Sequence, residues 1–202
     1  MDRWSGKTAV VTGASSGIGR AIALALAEEG LTVVAVARRD QRLKELASRV
    51  EGKGRIHGYT GDITDDDQLK SLFEWVEKNL GPVHVLVNNA GTTIPTRVSE
   101  GDMSNWRRMY SLNVFAVGGC IREALASMRR HGVDDGHIVN INSISGHPAA
   151  HVPGSWVYAS TKHAITVLTE GLMRELVEDK SSIKVTVRLI MCNYFFYLSQ
   201  MT

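Results

Sequence analysis

The sequence predicts an α/β fold: a doubly wound parallel sheet with helices on both faces. Two observations lead there. Short runs rich in β-branched residues alternate with longer segments of helical periodicity along the chain. Strand runs such as Val33–Val36 and Val83–Val87 are also nearly continuous in apolar residues, as strands buried on both faces must be.

Taken in order, Thr8–Thr12 reads as the first strand, Gly17–Glu29 as a helix stopped by Gly30, and Leu31–Ala37 as the second strand. Asp40 is placed as the N-cap of a helix reaching about Val50. Gly54–Tyr59 follows as a strand. Asp65–Leu80 then forms a helix with Leu69, Leu72, Phe73 and Val76 on one side, ended by Gly81-Pro82. Val83–Val87, Gly136–Ile141 and Ile183–Ile190 are the remaining strands, and Met103–Arg130 and Trp156–Glu178 the remaining helices. No internal repeat, low-complexity stretch or linker interrupts this order.

The bulk properties suit such a domain. A chain of 202 residues, 44% hydrophobic and 22% charged, buries a sizeable core without staples. A net charge of +2, with no Lys/Arg run longer than two, argues against a nucleic-acid or membrane surface. The apolar stretches Ala21–Ala27 and Leu189–Leu198 fall well short of the ~20 residues of a spanning helix. The start is polar, unlike a signal peptide, and two cysteines, Cys120 and Cys192, are too few for a disulfide framework. A cytoplasmic location with reduced thiols is expected.

The first chemistry-bearing segment is Thr12-Gly13-Ala14-Ser15-Ser16-Gly17-Ile18-Gly19, between the first strand and the first helix. Glycines there permit a tight turn and a close approach of backbone to a pyrophosphate, and the helix start offers free N–H groups to that anion. This makes the sheet a Rossmann-type nucleotide-binding candidate. About twenty residues on, the second strand ends at Ala37-Arg38-Arg39. An acidic residue there would bind the adenosine ribose of NAD, whereas arginines pair with a 2′-phosphate, so NADP(H) is expected, with Ser15 as a helper. Tyr158 and Lys162, four apart near the start of a helix, share a face. An ammonium beside a phenol favours the phenolate and suits the Tyr to acid–base work on an alcohol/carbonyl pair.

The spacing Gly13-x3-Gly17-x-Gly19, together with Asn88-Asn89-Ala90-Gly91 and Tyr158-x3-Lys162, resembles the short-chain dehydrogenase/reductase family. The likeness runs from about Gly6 to Leu189, with Ile141–Gly146 and Thr169–Leu172 most similar to the branch of farnesol-type and 17β-hydroxysteroid-type dehydrogenases. It implies an oxidoreductase moving a hydride between nicotinamide and an alcohol/carbonyl substrate. Cofactor contact is implied for Gly13, Ser15, Gly17, Ile18, Gly19, Arg38, Arg39, Asp62, Ile63, Asn89, Tyr158 and Lys162. Asp62 also reads as a cap for the turn before the next helix. The resemblance makes Ser143 the residue that holds the substrate oxygen, with Asn142 and Ser145 as polar neighbours. It makes Asn113 the residue that kinks the long helix and holds a water for proton relay with Lys162. His147 and His151 read as exposed loop residues or pocket lining. Asp65-Asp66-Asp67 reads as a helix-start acid cluster, and no metal site is expected.

The resemblance also implies a Pro-Gly turn, a lid, a helix and a seventh strand after the last strand found here. Instead Val187-Arg188-Leu189-Ile190 runs into Tyr194-Phe195-Phe196-Tyr197, with no proline after Pro153. Residues 1–190 are therefore expected to form the NADP-binding oxidoreductase domain and 191–202 an atypical tail, in a product truncated before its last strand and substrate lid. The rival expectation is a non-catalytic nucleotide-binding product that pairs with full-length subunits. A homodimer or homotetramer is implied through the long helices.

Overall fold

The computed structural model describes residues 2–147 and 153–190. Six parallel strands form one sheet in the order β3-β2-β1-β4-β5-β6: β1 Thr8–Thr12, β2 Thr32–Ala37, β3 Arg55–Thr60, β4 Val83–Asn88, β5 His137–Ser143 and β6 Lys184–Ile190. The order reverses between β1 and β4, the switch point at which open α/β sheets part their loops. In register, Thr12 lies beside Val36 and Val11 beside Val87, so the ends of β1, β2 and β4 open on one crevice.

Helices α1 Gly17–Glu28 and α2 Asp40–Ala47 cover one face. Ala23, Ala27, Leu43 and Leu46 pack there on Ala9, Val11, Val33 and Ala35. The other face carries α3 Asp66–Leu80, α4 Met103–Tyr110, α5 Ala116–Arg130 and α6 Trp156–Glu178. Leu72, Phe73, Met128, Ile165 and Leu172 pack there on Val10, Val34, Leu86 and Ile138. Because strand side chains alternate, each buried strand serves both cores, which is why these runs carry no polar phase.

Three expectations change. Asp40 does not cap α2: Arg39 stands at the N-cap without a side-chain cap bond, and Asp40 sits in the first turn paired with Lys44 at 2.7 Å. Asp65 lies outside α3 as its cap, accepting from the Gln68 amide at 3.0 Å, and Asp66 and Asp67 follow in the first turn. The long helix expected over Met103–Arg130 is broken by a π turn at Ser111–Phe115, between α4 and α5. A π turn inserts one residue, and such insertions concentrate at functional positions. The segment 191–202 and His151 lie outside the described residues.

Candidate active site

The loop from β1 into α1 is shaped by its glycines. Gly13 has φ +68°, and a Cβ there would stand 2.8 Å from Ala90 Cα. A Cβ on Gly19 would stand 2.7 Å from the Gly13 carbonyl and strike the Asn89 amide. Only glycine lets the helix start sit this close to the end of β4. Hydrogen bonds complete the seam: Asn89 Nδ2 donates to the Thr12 carbonyl at 3.0 Å, and Thr12 Oγ1 accepts from the Asn89 and Ala90 amides at 3.1 Å. Ser16, the N-cap of α1, makes no side-chain cap bond. The first turn of α1 thus has no side-chain cap, and an uncapped helix start of this kind is the end that suits an anion.

A cavity of about 660 Å³ opens beside this loop. Of the expected cofactor residues, Gly13, Ser15, Arg38, Arg39, Asp62, Ile63 and Asn89 line it. Gly17, Ile18, Gly19, Tyr158 and Lys162 do not: Gly19 is buried beneath the loop, Gly17 and Ile18 face outward, and Tyr158 and Lys162 stand on α6. Thr92, Arg108, Ser111 and Leu112 also line the cavity and were not anticipated. The last three come from α4 and the π turn, whose place at this cavity is a tertiary event with no local sequence signal.

Arg39 is tied into the loop. Its guanidinium donates to Ser15 Oγ at 2.7 Å and to Ser16 Oγ at 2.8 Å. Arg38 is exposed and lies 3.6 Å from Asp62. Burial opposes charge on Asp62, but hydrogen bonds from the Thr64 amide and hydroxyl, with the Arg38 charge, outweigh it and hold the carboxyl below its ordinary range. Those bonds, at 3.0 and 2.8 Å, make Asp62 the cap of its own turn while it borders the cavity.

The second cluster gathers at the ends of β5 and α6. Ser143 is the last residue of β5, 7% exposed, and its Oγ accepts from the Ser145 amide at 3.1 Å. Tyr158 and Lys162 lie in the first two turns of α6, with the ammonium 5.8 Å from the centre of the Tyr158 ring. Lys162 Nζ donates to the Ile141 carbonyl at 3.0 Å. Asn113 sits in the π turn and is 1% exposed. Its Nδ2 donates to the Thr92 carbonyl at 2.8 Å and to Thr161 Oγ1 at 3.0 Å, while its Oδ1 accepts from the Thr92 amide at 2.8 Å. A Cβ on Gly91 would lie 3.4 Å from Asn113 Oδ1 and 3.9 Å from Lys162 Nζ. Gly91 and Thr92 also line the cavity, so this second cluster stands at its border.

Other candidates lie apart. His147 is exposed. Cys120 is fully buried, and burial pushes its thiol up to about 12, far from a nucleophile's range. No group of three or more metal-ligating side chains occurs among the described residues. No helix among them is long and apolar enough to cross a membrane.

The parallel sheet, its switch point and the glycine loop define a Rossmann-type nucleotide-binding fold. Comparison with known proteins narrows the class. Residues 7–201 match the family model described as short chain dehydrogenase. The chain is 42% identical over 189 residues to the dehydrogenase/reductase SDR family member 11 of Bos taurus, covering 92% of this chain and 74% of that protein. It is 44% identical over 189 residues to the farnesol dehydrogenase of Aedes aegypti, covering 92% and 77%. Among solved structures, a short-chain dehydrogenase from Streptomyces avermitilis superposes with TM-score 0.79 at 37% identity, covering 90% of this chain and 64% of that one. A metagenomic short-chain oxidoreductase in complex with NADP gives 0.84 at 28% identity, covering 92% and 82%. An SDR from Burkholderia phymatum in complex with NAD gives 0.85 at 28% identity, covering 95% and 67%. The chain belongs to the short-chain dehydrogenase family of oxidoreductases, which bind NAD(P).

Proposed function

We propose that the chain is an NADP(H)-dependent oxidoreductase that interconverts an alcohol and a carbonyl on a small-molecule substrate. One observation carries this reading: Lys162 and Asn113 converge on Gly91 at the border of the nucleotide cavity, with Tyr158 one turn before Lys162 on the same helix. The preference for NADP(H) rests on Arg38 and Arg39 at the end of β2, where a 2′-phosphate would meet two cations and the Ser15 hydroxyl.

Held in the cavity, NADP(H) would supply or accept the hydride at nicotinamide. Gly13, Gly17, Ile18 and Gly19 shape the loop that would hold the pyrophosphate, with Ser15 beside them. Asp62 and Ile63 would flank the adenine, and Asn89 would support the floor. Tyr158 exchanges the proton with the substrate oxygen through its hydroxyl. Ser143 donates a hydrogen bond to that oxygen and orients it. Lys162, its ammonium 5.8 Å from the centre of the Tyr158 ring, would stabilise negative charge developing on that phenol and would hold the nicotinamide ribose. Asn113 links the segment after β4 to α6 and completes the proton relay toward Lys162.

The likeness to a farnesol dehydrogenase makes farnesol the first alcohol to assay with NADP. Tyr158→Phe should lower turnover by roughly 10²–10⁴ while leaving the Kd for NADPH within about threefold. Turnover that survives this substitution would sink the assignment. NADPH should also raise the unfolding temperature more than NADH does, since a ligand at a hundredfold excess over Kd adds about 2.7 kcal/mol of apparent stability. We assign a homodimer or homotetramer through α4–α5 and α6. Phe115, Val167 and Val177 are 70%, 68% and 76% exposed there. Light scattering on the purified chain tests that assignment.

A further inference from the structure

The end of β5 and the second turn of α6 are joined by contacts that the roles above do not require. Asn142, 2% exposed, donates from Nδ2 to Thr166 Oγ1 at 2.9 Å and to the Lys162 carbonyl at 3.2 Å. Thr166 Oγ1 lies 3.2 Å from both the Gly146 and the Lys162 carbonyls, so its single hydrogen serves one of them at a time. Gly146 ends the short turn that begins after Ser143. A Cβ on Gly146 would stand 2.9 Å from Asn142 Nδ2 and from the Lys162 carbonyl, so only glycine lets the turn reach α6.

The bonding is reciprocal. Lys162 Nζ donates to the Ile141 carbonyl, and the next residue, Asn142, donates back to the Lys162 carbonyl. The strand end that carries Ser143 and the helix that carries Tyr158 and Lys162 are thus locked at two points. The Ser143 hydroxyl is fixed at the near end of the turn by the Ser145 amide, and Gly146 at its far end by Thr166.

Stability alone does not account for an asparagine here. Its Oδ1 is buried without a hydrogen-bond partner among the described residues. An acceptor left so costs about 1–3 kcal/mol, which an aliphatic side chain of similar size would avoid. What the amide provides is direction: a donor aimed at a helix carbonyl and at a hydroxyl that in turn reaches the Ser143 turn.

We propose that Asn142 and Thr166 are positioning residues of the catalytic site, holding the Ser143 turn and the Lys162 turn of α6 in one fixed register. The proposal rests on the roles given above to Ser143, Tyr158 and Lys162. Misplacing reacting groups by about 1 Å lowers rates by as much as 10²-fold.

The test compares Thr166→Val, which keeps the shape and removes the hydroxyl, with Thr166→Ser, which restores it, and with Asn142→Ala. Amide exchange in the cofactor-free protein is the first readout. The Ser143–His147 amides should exchange roughly tenfold faster in the Val and Ala variants, the loss of about one hydrogen bond's worth of protection, while β1–β4 stay unchanged. In farnesol oxidation, kcat should fall roughly tenfold or more and the limb of the pH–rate profile should move, with the NADPH Kd within about threefold of the parent. Thr166→Ser should return both readouts toward the parent. Parental exchange and an unmoved pH limb in the Val and Ala variants would overturn the proposal. So would a loss that Thr166→Ser does not restore, or an equal loss of cofactor affinity. Tyr158→Phe is run beside them: if it retains turnover, the catalytic assignment itself fails, whereas a dead Tyr158→Phe with silent Thr166 and Asn142 variants removes only the positioning role.

Discussion

On the β1–β2 side of the sheet both faces are covered, by α1 and α2 on one side and α3 on the other. All five residues of β1 are buried. On the β5–β6 side the described residues cover chiefly one face, that of α5 and α6. No residue of β6 is fully buried there, and Leu189 is 46% exposed. The two functional clusters divide in the same way. The nucleotide loop is shaped by glycines and by hydrogen bonds to backbone, through Thr12 and Asn89. The proposed catalytic cluster is held by side-chain amides and hydroxyls: Asn113 to Thr92 and Thr161, Asn142 to Thr166, and Asn140 to Thr169 at 2.9 Å. A backbone-shaped site tolerates no added atoms, whereas a side-chain-shaped site fails when a donor is removed.

That contrast is sharpest at Gly13. Gly13→Val places a branched side chain at positive φ and against Ala90, a combined cost of roughly 4 kcal/mol. Urea unfolding should show it, and the thermal shift with NADPH should vanish. A stable variant that still responds to NADPH would show that the loop is not shaped by its glycines. Asn113→Ala probes the other side. It leaves the Thr92 amide and carbonyl without their partner, which should cost about 2–4 kcal/mol in the same titration. Turnover should fall further than NADPH affinity does.

A smaller effect is expected at the mouth of the cavity, where both kinds of support meet. On the proposed reading, Arg39→Ala should remove a charge-assisted contact of about 1.5–3 kcal/mol with a 2′-phosphate. Isothermal titration should show NADPH binding weakened by roughly tenfold to a hundredfold and NADH binding by less than about threefold. Equal weakening of the two would mean that Arg39 only braces Ser15 and Ser16.

The smallest effect is electrostatic. Asp62 has its folded pKa held below its ordinary value, so its stabilising contribution is present above the unfolded pKa of ~3.9 and is lost as pH falls through the folded value. Asp62→Asn should therefore melt slightly below the parent at neutral pH, and the difference should close as the pH drops below about 4. A constant gap across that range would assign the effect to the turn geometry rather than to the charge.

The strands and helices were legible because a buried parallel strand leaves no choice but continuous apolar residues, and a covering helix leaves a periodic stripe. The glycine loop, Arg38 and Arg39, and the pair Tyr158 and Lys162 could be singled out as candidates because the chemistry proposed for each lies within one local segment of fixed geometry. Asp40 misled because an acidic residue suits both the cap and the first turn of a helix, and the choice fell to its contacts with Lys44 and Thr60. The π turn at Ser111–Phe115 left no trace in the periodicity, because one inserted residue hardly disturbs a helical stripe, and only the resemblance pointed to a kink at Asn113. Arg108 and Leu112 line the cavity only because the tertiary fold brings α4 and the π turn beside the ends of the strands. The sequence by itself determined the element order, the nucleotide loop and the residue types available for catalysis, since these follow from local geometry and burial. Tertiary structure alone decided that Gly91, Asn113 and Lys162 meet and that Asn142 locks β5 to α6, because contacts between residues far apart in the chain exist only once the sheet has ordered its strands.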